Sequence, residues 1–366
     1  MKAAVLSEIG GHLTIENIPT PQPKAGEVLV KVTSCGVCHT DLHVVKGEVA
    51  FPMPCVLGHE IAGVVAEVAP DVTHIQPGQE VVCSFIMPCG ACGYCAQGRD
   101  DLCETFFAMN RLNGTLYDGT SRLRRSDGTS LAMYSMGGLA EYAVVTATDV
   151  FPAPSNVPLA DCCILGCAMM TAYGAVKNQA RIQPRDRVAV VGVGGIGSNV
   201  IQVARAFGAG QIIAVDIRDD KLEAARGLGA THTVNAAQDD VVAAVNAVTD
   251  GRGVDVAIEA LGRPETVLNA FNITSDGGRM VVIGIAPGTT TAPIEITRLV
   301  RRGIHLMGSY GSRVRTDLPE VLSLAARDQV SVSQPITRRY RLNEADDAYA
   351  ALNRGEIVGR AIVIMD

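Results

Sequence analysis

The chain has 366 residues and a mass of 38.4 kDa, which is long for one core and natural for two domains of ordinary size. With 31 Lys+Arg against 38 Asp+Glu and no basic run that would track phosphates, its balance argues against nucleic acid as a partner. The start, MKAAVLSEIGG, meets Glu8 before an export signal's apolar region can form, and no later stretch holds the ~18 uninterrupted apolar residues of a membrane span, so a cytoplasmic protein with no membrane partner is expected. Eleven cysteines without an export signal are better explained by metal or catalysis than by disulfides.

In chain order, short β-branched runs come first, at Val28 to Thr33, Ile61 to Val68 and Glu80 to Cys83. Pro and Gly punctuate them, as in an irregular β domain. Between them SCGVCHTDLH (Ser34 to His43) and GHE (Gly58 to Glu60) carry Cys, His, Asp and Glu, each too weak a signal alone. Cys89, Cys92, Cys95 and Cys103 follow, four cysteines in fifteen residues. Their C-x2-C-x2-C turn aims three sulfurs at one point and Cys103 can close a tetrahedron, the enclosed shell that suits a structural Zn2+. An iron–sulfur cluster uses similar spacings. Gly114 to Gly138 has little periodicity and reads as a long loop. LGCAMMTAYG then adds Cys167 in an apolar setting. Cys55, Cys83, Cys162 and Cys163 read as small core hydrophobes, and His12, His74 and His232 as solvated.

From Arg187 the pattern changes to RVAVVGVGGIGSNVIQVARAFGAGQIIAVDI. An apolar run enters G-x-G-x-x-G at Gly192, Gly194 and Gly197, with Gly195 inside it. A helical-period segment and a second apolar run follow, ending in Asp216. Strand, helix, strand and acidic terminus stand where a dinucleotide-binding unit requires them, with pyrophosphate at the helix N-terminus. Asp216 would bond the ribose hydroxyls and repel a 2′-phosphate, which favours NAD over NADP. Further apolar runs at His232 to Asn235, Val254 to Gly262, Gly278 to Ile285 and Ile304 to Gly311 complete six. Helical stretches at Asp219 to Ala230 and Asp239 to Val248 separate several of them, a rhythm that predicts a doubly wound sheet.

Taken together, CGVCHTD, GHE with IAGVVAEVAPDV, the four-cysteine lobe, LGCAMMTAYG, the glycine fingerprint and the terminal GRAIVIMD resemble the zinc-dependent medium-chain alcohol dehydrogenases over nearly the whole chain. The resemblance implies an α/β fold, a Rossmann doubly wound parallel sheet plus an irregular, mainly-β GroES-like catalytic domain. The catalytic domain would span 1–168 with a zinc lobe at 88–104, the NAD domain 169–308, and 309–366 would return to the first. The loop NGTLYDGTSR resembles the inserted loop of the long, dimeric members, so a homodimer is expected, with a tetramer as the alternative.

The same resemblance puts a catalytic zinc on Cys38, His59 and Cys167, so that two Zn2+ per subunit are expected. Glu60 would be a carboxylate able to visit the metal, and Asp41 would orient His59. The open metal position would bind and ionise a small alcohol, whose hydride goes to C4 of NAD+. Thr40 would take the alcohol proton and pass it through the cofactor ribose to His43 near solvent. His39 and Arg360 would flank the pyrophosphate, and Lys221 would lie beside the adenosine ribose. Val49, Phe85, Ala108, Met133 and Tyr134 would line the pocket, an apolar set that implies primary or secondary alcohols with aromatic or medium aliphatic substituents. A glutathione-dependent formaldehyde enzyme would want polar or basic groups around Val49 and Phe107, and these are missing. Two alternatives are a polyol or sugar dehydrogenase, which would want a polar pocket, and a non-catalytic zinc-stabilised nucleotide-binding protein, which would have lost a ligand or the relay.

Overall fold

The computed structural model describes residues 1–365 and divides into two units. The first comprises Met1–Met170, Arg313–Arg327 and the chain from Ile336 on; the second comprises Thr171–Ser312 and Asp328–Pro335. Boundaries expected at 168/169 and 308/309 thus fall at 170/171 and 312/313, and Asp328–Pro335 goes with the second unit.

The first unit is built on a seven-stranded sheet whose central member is Glu27–Val37. That strand reads EVLVKVTSCGV, and nine of its eleven residues are buried, the pattern of a strand covered on both faces. It pairs antiparallel with Ile61–Val68, Tyr142–Thr146 and Arg360–Ile364. The pairings Cys35↔Ile61 and Ile362↔Gly36 matter most here. They bring the residues just beyond Val37, those just before Ile61 and the start of the last strand to one end of the sheet. A second, five-stranded sheet runs Leu13–Asn17, Lys2–Leu6, Cys55–Val56, Ser130–Met133, Leu123–Arg124. Its last two strands correct the expected loop at Gly114 to Gly138, which holds a short hairpin pairing Leu123 with Leu131.

The second unit holds a six-stranded, wholly parallel sheet. Its order is His232–Asn235, Gln211–Asp216, Arg187–Val191, Val254–Glu259, Thr274–Val282, His305–Gly308. All six anticipated runs became strands. The order reverses at Arg187–Val191, and such a switch point opens a crevice at the carboxyl ends of the strands. Ala189, Val191, Ile213, Val215, Ala257 and Phe271 anchor the core on one face of the sheet. Asp240 caps the helix Val241–Val248 by accepting from Ala243 N at 2.8 Å. Among the described residues one helical run, Leu159–Ala180, is long and apolar enough to cross a membrane, and 89% of its apolar window is buried inside the protein. That burial marks it as a core segment.

Candidate functional site

Cys38 follows the central strand directly and precedes the short helix His39–Val45, while His59 and Glu60 lead into Ile61–Val68. Cys167 lies just after the turn Leu159–Gly166. The register therefore gathers Cys38, His59, Glu60 and Cys167, all buried, with their ligand atoms within 4.8 Å of one another. His59 Nε2 and Glu60 Oε2 are buried without a hydrogen-bond partner. Burying a polar atom unpaired is costly, and a ring nitrogen aimed at two sulfurs and a carboxylate is relieved by a cation. Two thiolates, one imidazole and one carboxylate suit Zn2+.

Electrostatics fit the same reading. A hydrogen bond from Cys167, with Arg360 and His59 nearby, holds the Cys38 thiol well below its ordinary value. Burial works to lower His59, but Asp41 and Cys38 overcome it and bring the imidazole up to about 10. Burial pushes Glu60 up to about 7 against the pull of Arg360. Anionic sulfur beside unshared basic nitrogen is the charge pattern a metal resolves by displacing protons.

Around this cluster Asp41, fully buried, accepts from His59 Nδ1 at 2.9 Å and from Gly58 N at 3.2 Å, leaving Nε2 to face the sulfurs. Tyr349, from the helix Ala345–Asn353, donates to the other carboxylate oxygen of Asp41 at 2.8 Å. Nothing in the sequence flagged Tyr349, which is 308 residues from its partner. Arg360, expected beside a pyrophosphate, is buried, and its guanidinium is turned on Glu60 and donates to Val37 O at 3.3 Å. Thr40 Oγ1 lies 3.4 Å from Cys38 Sγ. His43 sits near the surface and His39 is exposed.

Of the pocket candidates, Phe85 and Tyr134 reach the site, their rings 5.9 and 6.0 Å from the His59 ring. Arg111, not anticipated, covers the Tyr134 ring at 4.3 Å. Val49 is half-buried and Ala108 exposed. Met133 is fully buried, with its sulfur accepting from Arg122 N at 3.3 Å in the second sheet.

The sulfurs of Cys89, Cys92, Cys95 and Cys103 also gather within 4.8 Å. Backbone amides point at them: Cys92 N donates to Cys89 Sγ and Cys89 N to Cys103 Sγ, both at 3.3 Å. Although burial opposes it, hydrogen bonds from Thr105 and from the Ala91 and Cys92 amides bring Cys89 down to about 6. No disulfide joins any of the eleven cysteines. The lobe is tied down by Arg315, whose Nη2 and Nε reach Asp100 Oδ1 at 2.7 and 3.0 Å while its backbone N donates to Oδ2 at 2.9 Å. Sequence reading missed this tether.

In the second unit the fingerprint turn leaves Val191 and enters the helix Gly197–Ala206. A Cβ on Gly197 would stand 1.9 Å from Gly192 O, so only glycine lets the helix close on the turn, whereas Gly194 faces open space. That opening beside free helix N–H groups fits a pyrophosphate. Gly195 O accepts from Asn199 Nδ2 at 2.8 Å. Asp216 accepts from the amides of Val193 and Ile217, both at 2.8 Å, so its carboxylate also holds the turn. Lys221 is half-buried in the helix Asp219–Leu228.

Residues 24–155 match the alcohol dehydrogenase GroES-like domain and residues 195–327 the zinc-binding dehydrogenase domain. An NDMA-dependent alcohol dehydrogenase of Amycolatopsis methanolica is 35% identical over 99% of this chain and 98% of its own length. This chain belongs to the zinc-dependent medium-chain alcohol dehydrogenase family. An S-(hydroxymethyl)glutathione dehydrogenase of Synechocystis sp. shares 35% identity, covering 99% of both chains. The crystal structure of benzyl alcohol dehydrogenase from Acinetobacter calcoaceticus superposes with a TM-score of 0.93 at 30% identity, covering 100% of this chain and 99% of that one. As a family member the chain is an oxidoreductase of the alcohol dehydrogenase type, a dehydrogenase with zinc-binding domains.

Proposed function

We propose that this dehydrogenase uses zinc and NAD to interconvert primary or secondary alcohols bearing apolar or aromatic substituents with their aldehydes or ketones. The observation that carries the reading is the buried Cys38, His59, Glu60, Cys167 cluster with His59 Nε2 unpartnered. Cys38, His59 and Cys167 would hold the metal, and the enclosed lobe of Cys89, Cys92, Cys95 and Cys103 a second one. When bound, the catalytic ion supplies a Lewis acid that makes an alcohol oxygen acidic near neutral pH, and NAD+ supplies the hydride acceptor.

The chain's own residues do the rest. Asp41, braced by Tyr349, fixes the His59 ring so that Nε2 points at the metal position. Thr40 Oγ1 accepts the alcohol proton and His43 delivers it to solvent. Phe85 and Tyr134 wall the site with aromatic surface and exclude water. Likeness to a benzyl alcohol dehydrogenase supports an aromatic substrate. Asp216 selects NAD through its carboxylate. Exposed Ile285, Ile296, Val300 and Leu306 near the edge strand His305–Gly308 support a homodimer.

Zinc analysis of the purified protein, with NADH absorbance across a panel of benzylic, aliphatic and polyol substrates, tests the reading. Two zinc ions per subunit and NAD+ reduction by aromatic alcohols are expected; one zinc, or oxidation of polyols alone, overturns it. Identity to a relative named for NDMA dependence favours a second reading, in which NAD+ alone sustains little turnover and NDMA restores it. Running the panel with and without NDMA separates the two. S-(hydroxymethyl)glutathione belongs in the panel as well, given the relative that bears its name.

A further inference from the structure

A side chain that no motif singled out is fastened to His43. The helix His39–Val45 ends at Lys46, and Gly47 follows with φ +72°. A Cβ on Gly47 would stand 2.6 Å from Ile9 Cγ2, so the chain turns here only as glycine. Beyond it Glu48 N and Val49 N both donate to His43 O, at 2.9 and 3.2 Å. This closed turn folds the Glu48 side chain back, and its Oε2 is hydrogen-bonded with His43 Nδ1. Side-chain exposures of 22% and 32% put the pair at the solvent edge, where a proton can leave.

The hydrogen bond with His43 holds the Glu48 carboxyl below its ordinary range, with Lys46 acting in the same sense. Neighbouring elements turn their charges elsewhere. Glu8, in the loop whose Gly10 N bonds Val45 O, packs its side chain over Gly11. On the helix Ala345–Asn353, Tyr349 is given to Asp41 and Asp346 to His12.

We propose that Glu48 is a positioning residue for proton release: its carboxylate holds His43 as the Nδ1–H tautomer and so leaves Nε2 as the base that takes the proton from the reaction. The inference rests on the reading of His43 as the solvent end of the proton path. Which imidazole nitrogen carries the proton is set by the partner of the other, and a ring without a partner at Nδ1 carries its proton mainly on Nε2, where it cannot accept another. A proton arriving at Nε2 makes an imidazolium, whose charge Glu48 faces. Loss of one proton to bulk water restores the neutral ring, and nothing is oxidised or reduced.

Two measurements on the full-length enzyme test this. In 15N-histidine-labelled protein at mildly alkaline pH, with His43→Gln assigning the signal, His43 should show the Nδ1–H tautomer in the wild type and shift towards Nε2–H in Glu48→Ala. In turnover, Glu48→Ala should slow alcohol oxidation near neutral pH by about three- to tenfold, a small buffer base should restore it, and the substitution should add nothing in a His43→Gln background. An unchanged tautomer in Glu48→Ala overturns the proposal, as does a rate loss equally large in the His43→Gln background. Should the tautomer shift while His43→Gln leaves the rate and its buffer dependence untouched, the relay reading fails and the catalytic part of the proposal falls with it.

Discussion

Asp216 carries two loads on one carboxylate. Its oxygens accept from Val193 and Ile217 amides, which fixes the glycine-rich turn, and on the proposed reading they also bond an adenosine ribose. A hydrogen bond to a charged acceptor contributes about 1.5–3 kcal/mol. Asp216→Ser should therefore raise KM for NAD+ by about 10- to 100-fold and improve relative use of NADP+, with some loss of thermal stability because the turn is released. Initial rates with both cofactors check this, and a wild type that already uses NADP+ as well as NAD+ rules the assignment out. His43→Gln is expected to slow alcohol oxidation near pH 7 by about tenfold, less than the ~10²–10⁴ of a group in direct proton transfer, since water replaces it. Activity should return at high pH, where hydroxide takes the proton, while zinc content and NAD+ binding stay constant. A pH–rate profile identical to the wild type would remove His43 from the path.

At the level of elements, the two sulfur clusters should fail differently. Cys38→Ser alters a proposed ligand inside a buried cluster that Asp41, Tyr349 and Arg360 already hold from several sides, so the fold should persist while turnover falls by orders of magnitude. Cys92→Ser removes one wall of a lobe made of short helical turns with little core of its own, so melting temperature and yield should drop before turnover per folded molecule changes. Arg315→Ala should resemble Cys92→Ser more mildly, because it leaves the buried Asp100 carboxylate without its guanidinium and with only the backbone amide of residue 315, at a cost of about 3–5 kcal/mol for a fully buried pair and less here, where Arg315 is 36% exposed on its side chain. Thermal melts with zinc quantified on each variant decide the matter. A fully stable Cys92→Ser would show that the lobe is not a cage. The same elements show what local reading can and cannot reach. Four cysteines at fixed spacing, or six apolar runs between helices, are written within a few residues of each other. The hairpin at Leu123 and Leu131 was not, because the other half of its strand Ser130–Met133, Ala132 and Met133, pairs with Cys55–Val56, far upstream. Tyr349 and Arg315 were hidden for the same reason, lying 308 and 215 residues from the carboxylates they serve. Glu48 is close to His43 in sequence but marks no period or motif; only the glycine turn reveals it.

On the scale of the whole molecule, the second unit's sheet ends in a strand, His305–Gly308, bonded on one side only among the described strands. Beside it the helix Ile296–Arg301 has no buried residue, and Ile296 and Val300, one turn apart, are 75% and 72% exposed. Such apolar surface is disfavoured in water, at about 25 cal/mol per Å². If two copies cover it, Val300→Asp should weaken association by at least tenfold while each folded subunit keeps its zinc. Sedimentation across a concentration series reads this directly. A wild type that stays monomeric at tens of micromolar would exclude the homodimer.

The long reach of Tyr349 and Arg360 has a temporal side. Asp41 and Glu60 are made early, and Tyr349 and Arg360, which help to offset their burial, are made 308 and 300 positions later. Until Tyr349 and Arg360 are made and the strand Arg360–Ile364 has slotted in beside Glu27–Val37, Asp41 lacks its phenol and Glu60 its guanidinium, next to the two sulfurs and one imidazole of Cys38, Cys167 and His59. A chain cut before Tyr349 therefore keeps every strand of the parallel sheet, while the cluster of Cys38, His59, Glu60 and Cys167 goes without both of its distant braces.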